Sequence, residues 1–298
     1  MPVADYFFML HTYYPSSVFF DCGLIQIRWY GLLITLSVLI SFLIAKKLFK
    51  QYKLSSNILY DLGFYLVIFG LVGARMWHVF SEFRYYLKNP IDIIEIWNGG
   101  LAIHGAILSG ILVIYFYFKK QKNKQNILLA LDIFAPLVIL GQAIGRWGNY
   151  FNQELYGRPL NAWWSIPIDF SHRLSGYAQY DFFHPIFLYE SLWCLIIFCL
   201  LLHWHYLRIV PDSSLPIARK PSSITYCSHF VIKTQGFIFF SYIILYSIGR
   251  FAIGFLRIDP QISFFCLRFD QWISLVLICI CAVVVFLFEK KSNFSHFA

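Results

Sequence analysis

Charged side chains are the scarcest material in this sequence: they make up 13% of its 298 residues, against 59% apolar and 20% aromatic. That balance excludes a water-soluble domain, which carries about twice as much charge, and places the chain among polytopic membrane proteins. The first 27 residues lack a basic n-region, so no cleavable signal peptide is expected and the first span stays attached. No CxxC pair occurs among the seven cysteines. They are scattered at positions 22, 194, 199, 227, 266, 279 and 281, in or beside apolar runs, and read as small hydrophobes. Without an HExxH or comparable ligand cluster, no metal or other cofactor is expected.

What the chain does have is long apolar runs. Seven are long enough for a hydrocarbon core about 30 Å thick: Trp29–Phe49, Asp61–Phe80, Leu101–Phe118, Ile127–Arg146, Pro185–Leu207, Gly236–Leu256 and Gln271–Phe288. The expected fold is all-α, a single integral membrane domain over residues 1–298 with about seven transmembrane helices. Lys46, Lys47, Lys50 and Lys53 follow the first run, and Lys119, Lys120, Lys122 and Lys124 the third. Arg208, Arg219, Lys220 and Lys233 follow the fifth, and Lys290 and Lys291 the last. Positive charge in alternate loops puts the N-terminus outside and the C-terminus in the cytoplasm. Residues 147–184 then form an outer-face segment and 208–235 a cytoplasmic loop.

The net charge of +9 is divided unevenly by residue type. The inner set is twelve Lys and two Arg, whereas nine of the ten outer basic residues are Arg: 28, 75, 84, 146, 158, 173, 250, 257 and 268, with Lys88 the tenth. Topology signalling does not distinguish the two types. A guanidinium is a planar fork that pairs bidentately with phosphate and stays charged when desolvated, so a lipid phosphate at the outer face explains the division. Snorkelling to headgroups is the competing explanation, the stronger one for Arg28, Arg84 and Arg173 and the weaker one for Arg75, Arg146 and Arg250. Nucleic acid is not expected as a partner, because the basic residues gather on no soluble domain.

Polar residues collect at one level of the membrane. Tyr30 opens the first run, His104 the third, Arg146 and Asn149 close the fourth, and His184 and Glu190 begin the fifth. Tyr246 and Arg250 lie toward the outer end of the sixth, and Asp270 with Gln271 starts the seventh. Polar groups near lipid are expensive unless paired, so the cluster is a candidate site. Each residue also has an ordinary reading. His104 is either a satisfied interfacial histidine or a functional group, with Gly99, Gly100 and Gly105 around it permitting close approach of a ligand. Gly141 and Gly145 read as helix packing, and Glu190 either pairs with an arginine or acts directly. Asp61 and Asp132 read as helix-terminal or packing residues.

The densest stretch, Gly145–Pro159 or GRWGNYFNQELYGRP, closely resembles the signature of the prolipoprotein diacylglyceryl transferase family. RWYG at 28–31, WNGGLAIHGA at 97–106, DIFAPLVILGQ at 132–142, HPIFLYE at 184–190 and GRFAIGFLR at 249–257 look like further family segments in the same order. The resemblance runs from about residue 24 to 288. It implies an enzyme of the bacterial plasma membrane that moves the diacylglyceryl group of phosphatidylglycerol onto the lipobox cysteine thiol of a preprolipoprotein, releasing glycerol 1-phosphate. Phosphatidylglycerol, the preprolipoprotein and the bilayer are then the partners.

Carried over by position, the family's important residues fall on Tyr30, His104, Arg146, Asn149, Glu154, Gly157 and Arg250. The expected chemistry has Arg146 and Arg250 bracket the phosphate, His104 accept the thiol proton, and Tyr30 donate to a phosphate oxygen. Asn149, Glu154, Gly157, Glu190, Tyr246 and Arg257 complete the expected substrate-binding set. One position departs from the pattern. Where the family usually has glutamate four residues after the sixth-span arginine, this chain has Gly254, with Asp259, Glu190 or Glu154 as candidate substitutes. Two alternatives stand beside this reading: an anionic-solute transporter, disfavoured by the absence of an internal repeat, and a weakened homologue that binds lipid or lipoprotein.

Overall fold

The computed structural model describes residues 12–23, 26–96, 99–120, 125–209 and 234–294. Most of the inner loop expected at 208–235 therefore lies outside the described residues, as do Trp97, Asn98, Lys122, Lys124 and the side chain of His104. A short hairpin of β1 Val18–Asp21 and β2 Gln26–Arg28 leads directly into α1 Trp29–Gln51. Then follow α2 Ser56–Ser81, the short α3 Phe83–Lys88, α4 Ile103–Lys120 and α5 Gln125–Phe151. The two-residue strands β3 Ile166–Pro167 and β4 Phe182–Phe183 pair with each other before α6 Ile186–Ile209 and α7 Phe237–Gly254. The hairpin β5 Ser263–Phe264 and β6 Leu267–Arg268 precedes α8 Phe269–Phe294.

Six helices among the described residues are long and apolar enough to cross a membrane: α1, α2, α5, α6, α7 and α8. The eighteen-residue α4 occupies the place of the remaining expected span. The helices overrun several expected boundaries. In particular α5 continues five residues past Arg146, so GRWGNYF, the first half of the 145–159 stretch, is helical throughout. Outward-facing residues are large and apolar, such as Phe64, Met76, Ile196 and Phe286, whereas buried positions include Ser37, Asp132, Glu190, Ser247 and Gln271. Apolar outside and polar inside is the arrangement that hydrocarbon solvent selects.

The chain forms two compact units, one of Met1–Ile44 with Asp132–Ala298 and one of Ala45–Leu131. Within the second, α2 and α4 pack backbone against backbone. A Cβ on Gly73 would stand 1.8 Å from Ser109 Oγ, and one on Gly105 would stand 2.0 Å from the Gly73 carbonyl oxygen. Small residues are required for such contact. Two of the glycines around His104 have a packing cause: Gly105 packs on α2, and Gly100, at φ 71, places its backbone where any Cβ would meet Arg75 and His78. Arg75 likewise serves its own unit. It donates to the carbonyls of Asp92, Ile93, Glu95, Gly99 and Gly100, holding the 90–100 segment against α2.

In the first unit, Asp132 joins three elements. It is fully buried on α5 and accepts from the backbone N–H groups of Gly236 and Phe239, both at 2.8 Å, so a carboxylate from one helix caps the N-terminus of α7. Arg208 at the end of α6 completes it at 2.7 Å. Pro136 inside α5 has no N–H to give the carbonyl four residues earlier. That carbonyl belongs to Asp132, and His205 Nε2–H donates to it instead at 3.0 Å. The expectation of a helix-terminal role for Asp132 is thus met on a neighbouring helix. Asp132→Ala strands a buried arginine and two backbone donors, and is expected to lower unfolding stability by about 3–5 kcal/mol, read as a drop in the thermal midpoint in detergent. A change within about 0.5 kcal/mol, typical of a surface site, would contradict the capping role.

Candidate active site

The polar residues of the first unit are brought together by matched helical stripes. On α5, Gln142, Arg146 and Asn149 fall at i, i+4 and i+7, and on α7, Tyr242, Tyr246 and Arg250 fall four apart, so each set lines one face. The stripes meet: Gln142 Nε2–H donates to the Tyr242 hydroxyl at 3.1 Å, and Tyr246 lies within electrostatic reach of Arg146. Between the two arginines stands Glu190 of α6, 3% exposed. Arg146 Nε donates to its Oε2 at 2.5 Å, and Arg250 Nη1 donates to its Oε1. One carboxylate therefore orients both forks.

From Arg250 the pairing continues into a closed ring. Its Nη2 meets Asp270 Oδ2 at 3.0 Å, and Arg268 Nε meets Asp270 Oδ1 at 3.3 Å. Arg268 Nη2 reaches Asp259 Oδ2 at 2.8 Å, Arg257 Nε reaches Asp259 Oδ1 at 2.7 Å, and Arg257 Nη1 lies 3.7 Å from Glu190 Oε1. Four guanidinium groups against three carboxylates leave one positive charge in excess. Arg146 and Arg250 keep 19% and 17% of their side-chain surface open, whereas Arg257 keeps 6%. The first two can accept a further anion, and Arg257 is committed to the ring. Asp259 lies between the helices. Burial pushes its carboxyl up, but hydrogen bonds and charge from Arg257 and Arg268 outweigh this and hold it below the usual carboxylate range. Its contribution to stability is therefore present above the ordinary carboxylate pKa and lost as pH falls through the lowered value.

The other expected residues gather around Arg146. Asn149 Oδ1 accepts from Arg146 at 3.4 Å while its Nδ2–H donates to Glu154 Oε1 at 2.8 Å, and Asn152 adds a second donor at 3.2 Å. Gln153 and Leu155, at φ 53 and 54, turn the chain back sharply after α5. Buried Gln153 fixes that turn by donating to the Pro15 carbonyl and accepting from the Asp169 N–H. Tyr30 lies over Gly148, where a Cβ would stand 2.2 Å from its ring, and within electrostatic reach of Glu154 and Arg146. Gly157 bridges to Arg257, and a Cβ there would meet His184 Cβ at 2.7 Å and the Leu256 carbonyl at 2.9 Å. Close packing is thus the evident reason for that glycine. His184 has its pKa lowered by burial and by the charge of Arg158, and its ring lies 3.1 Å from the Tyr189 hydroxyl. His104 belongs to the second unit, and its side chain lies outside the described residues. Arg173, expected to snorkel, instead ties the 168–181 segment together through the Ile168 and Ala178 carbonyls and Asp181.

Sequence reasoning placed Asp270 at the level of the candidate site and Arg268 among the outer arginines, but assigned neither a binding or catalytic role. Their signal was present as the RFD triplet at 268–270 opening an otherwise apolar run. The space beside Gly254 is also filled. Gln271, 1% exposed, donates to the Phe251 carbonyl at 3.0 Å and accepts from the Arg268 N–H at 2.9 Å. A Cβ at 254 would stand 2.9 Å from Gln271 Cγ and 3.1 Å from its Cδ.

Apolar helices surrounding a buried network of arginines and carboxylates define a multi-pass membrane protein with a polar site built inside its bundle. The chain belongs to the prolipoprotein diacylglyceryl transferase family, whose model matches residues 17–287. It is 40% identical over 249 residues to the phosphatidylglycerol–prolipoprotein diacylglyceryl transferase of Parasynechococcus marenigrum (strain WH8102), covering 83% of this chain and 81% of that one. Proteins of the same name from Prochlorococcus marinus (strain MIT 9301) and Trichormus variabilis (strain ATCC 29413 / PCC 7937) are 38% and 39% identical over 284 and 261 residues. The first match covers 88% of this chain and 89% of the relative, the second 88% and 85%.

The Gln271 contact makes a prediction about the departure at 254. Gly254→Glu alone overpacks the α7–α8 contact and is expected to cost about 1–3 kcal/mol, measured by thermal unfolding. Adding Gln271→Gly is expected to recover most of the loss. A fully stable single variant would show that Gln271 does not fill that space.

Proposed function

We propose that this chain is a transferase which moves the diacylglyceryl group of phosphatidylglycerol to the lipobox cysteine thiol of preprolipoproteins, releasing glycerol 1-phosphate. In this reading the whole chain is one integral domain of a bacterial plasma membrane, crossing it seven times. The N-terminus and the site face outward, the C-terminus is cytoplasmic, and residues 147–184 lie on the outer side. The observation that carries the reading is the pair Arg146 and Arg250, oriented by the two oxygens of one buried carboxylate yet each partly open. With Arg146 joined to the ring through Glu190, the one excess positive charge matches the single negative charge of a phosphodiester.

Sulfur attacks the glyceryl carbon that bears the phosphate. A C–S bond forms as the C–O bond breaks, the electron pair goes to the departing phosphate oxygen, and the thiol proton goes to a base. The phosphate gains negative charge through this step, and preorganised guanidinium forks in a low-dielectric site stabilise that gain more than they stabilise the ground state. His104 is the base in this proposal, because its unperturbed pKa near 6.5 leaves imidazole mostly neutral at physiological pH. Tyr30 donates to a phosphate oxygen, and Asn149 with Glu154 sets the orientation of Arg146 and of the glycerol headgroup. Gly157 allows the close approach of the Arg257 backbone, Tyr246 supports Arg146 electrostatically, and Arg257 supports Glu190. Gly254 does not disable the site, since Glu190 and Asp270 already give Arg250 two carboxylate partners.

Purified protein with phosphatidylglycerol and a lipobox peptide is expected to yield the diacylglyceryl thioether by mass. Arg250→Lys, which removes the bidentate fork but keeps the charge, is expected to lower turnover by about 10²-fold, the scale of a lost transition-state donor. An unchanged rate would exclude bidentate phosphate contact at that residue. His104→Gln is expected to abolish the acid limb of the pH–rate profile, and a parental profile would assign the base elsewhere.

A further inference from the structure

The segment joining α7 to α8 carries Arg257, Asp259 and Arg268 of the ring, and between the last two it projects a hairpin whose tip takes no part in it. Ser263 pairs with Arg268 and Phe264 with Leu267. Phe265 and Cys266 make the turn at φ 47 and 60, a left-handed pair for which Asn and Gly are the favoured residues. Ile262, Phe264 and Phe265 are 80%, 64% and 77% exposed, three large apolar side chains within four residues.

This knuckle is firmly seated. Trp272 Nε1–H donates to the Phe264 carbonyl at 2.9 Å and the Phe269 N–H to the Ile262 carbonyl at 3.0 Å, so the first turn of α8 holds the first arm, while the second runs straight into the helix. The helix below identifies what covers it. On α8 the polar and small residues Gln271, Ser274 and Cys281 are buried, while Phe269, Ile273 and Ile280 face outward. A helix with that inverted pattern is solvated by hydrocarbon. Phe269 stands at the top of the outward stripe, and the apolar tip continues that surface past the end of the helix.

We propose that the 262–265 knuckle is a membrane anchor, inserted where acyl chains meet headgroups at the end of α8. Aromatic and aliphatic side chains at that depth bind by burying apolar surface while the backbone of the turn stays near water. Because the arms of the hairpin lead directly into Asp259 and Arg268, the anchor holds the ring at the level of the lipid phosphates. The partner is the lipid surface itself. The inference rests on the membrane-crossing helices and does not depend on the proposed transfer reaction.

The test places p-benzoylphenylalanine at position 265 in the otherwise native chain, in nanodiscs of phosphatidylethanolamine and phosphatidylglycerol. Irradiation is expected to add the mass of one phospholipid to the peptide containing residue 265. Absence of a lipid adduct, or crosslinking to a second copy of the chain, would overturn the proposal. A nitroxide on Cys266, exposed and reduced in the structure, gives a second measurement once the other six cysteines are replaced by alanine. In nanodiscs it is expected to collide with oxygen and to lose the collisions with a water-soluble nickel chelate that the same label shows in the urea-unfolded chain. Nickel collisions at the unfolded level would equally overturn the proposal.

Discussion

The carboxylate of Glu190 is the contact on which the site depends. It comes from α6, it is buried, and its two oxygens hold Arg146 of α5 and Arg250 of α7. Two like charges on neighbouring helices inside an apolar bundle repel and carry a heavy desolvation cost, so neither arginine would sit there without a shared anion. Removing that anion would leave two buried cations unpaired, a far larger disturbance than losing a surface ion pair. The rest of the ring extends the same logic: Arg250, Arg257 and Arg268 alternate with Glu190, Asp259 and Asp270, and Arg146, which pairs with Glu190 alone, adds the one surplus positive charge beside the partly open Arg250.

The ring also explains why this chain tolerates glycine at 254. A carboxylate there would stand on α7 itself, one turn from Arg250. In this protein Arg250 instead takes Asp270 from the first turn of α8, and the adjacent Gln271 occupies the volume that a side chain at 254 would need. Glycine at 254 and glutamine at 271 are therefore two halves of one packing arrangement. Asp259, one of the substitutes considered from the sequence, does enter the network, but it grips Arg257 and Arg268 and leaves Arg250 to its neighbours.

Much of the fold was legible because hydrophobic length is a strong signal in a membrane chain. Six of the expected spans are helices of the required length and apolarity, and the seventh is a helix in the expected place. Helix ends were less legible: nothing in the composition of GRWGNYF says that α5 runs on to Phe151 before the turn at Gln153 and Leu155. Arg146, Asn149, Glu154, Glu190 and Arg250 were recognisable as candidates because polar groups inside apolar runs need a cause. Their pairing was not legible, because which carboxylate meets which arginine is decided by helix rotation and packing, which uniform apolar runs do not encode. The same limit made Arg75 and Gly100 look functional, when their evident work is to satisfy and pack one segment of the second unit.

The central claim is that Arg146 and Arg250 together receive the lipid phosphate, and it is tested most directly by a distance between nuclei. With arginine labelled at 13Cζ and phosphatidylglycerol bound in a bilayer, solid-state NMR measures dephasing of the guanidinium carbons by 31P. The account predicts that two arginine signals are dephased, one lost in Arg146→Lys and the other in Arg250→Lys. Absence of dephasing, or dephasing that survives both substitutions, would contradict it.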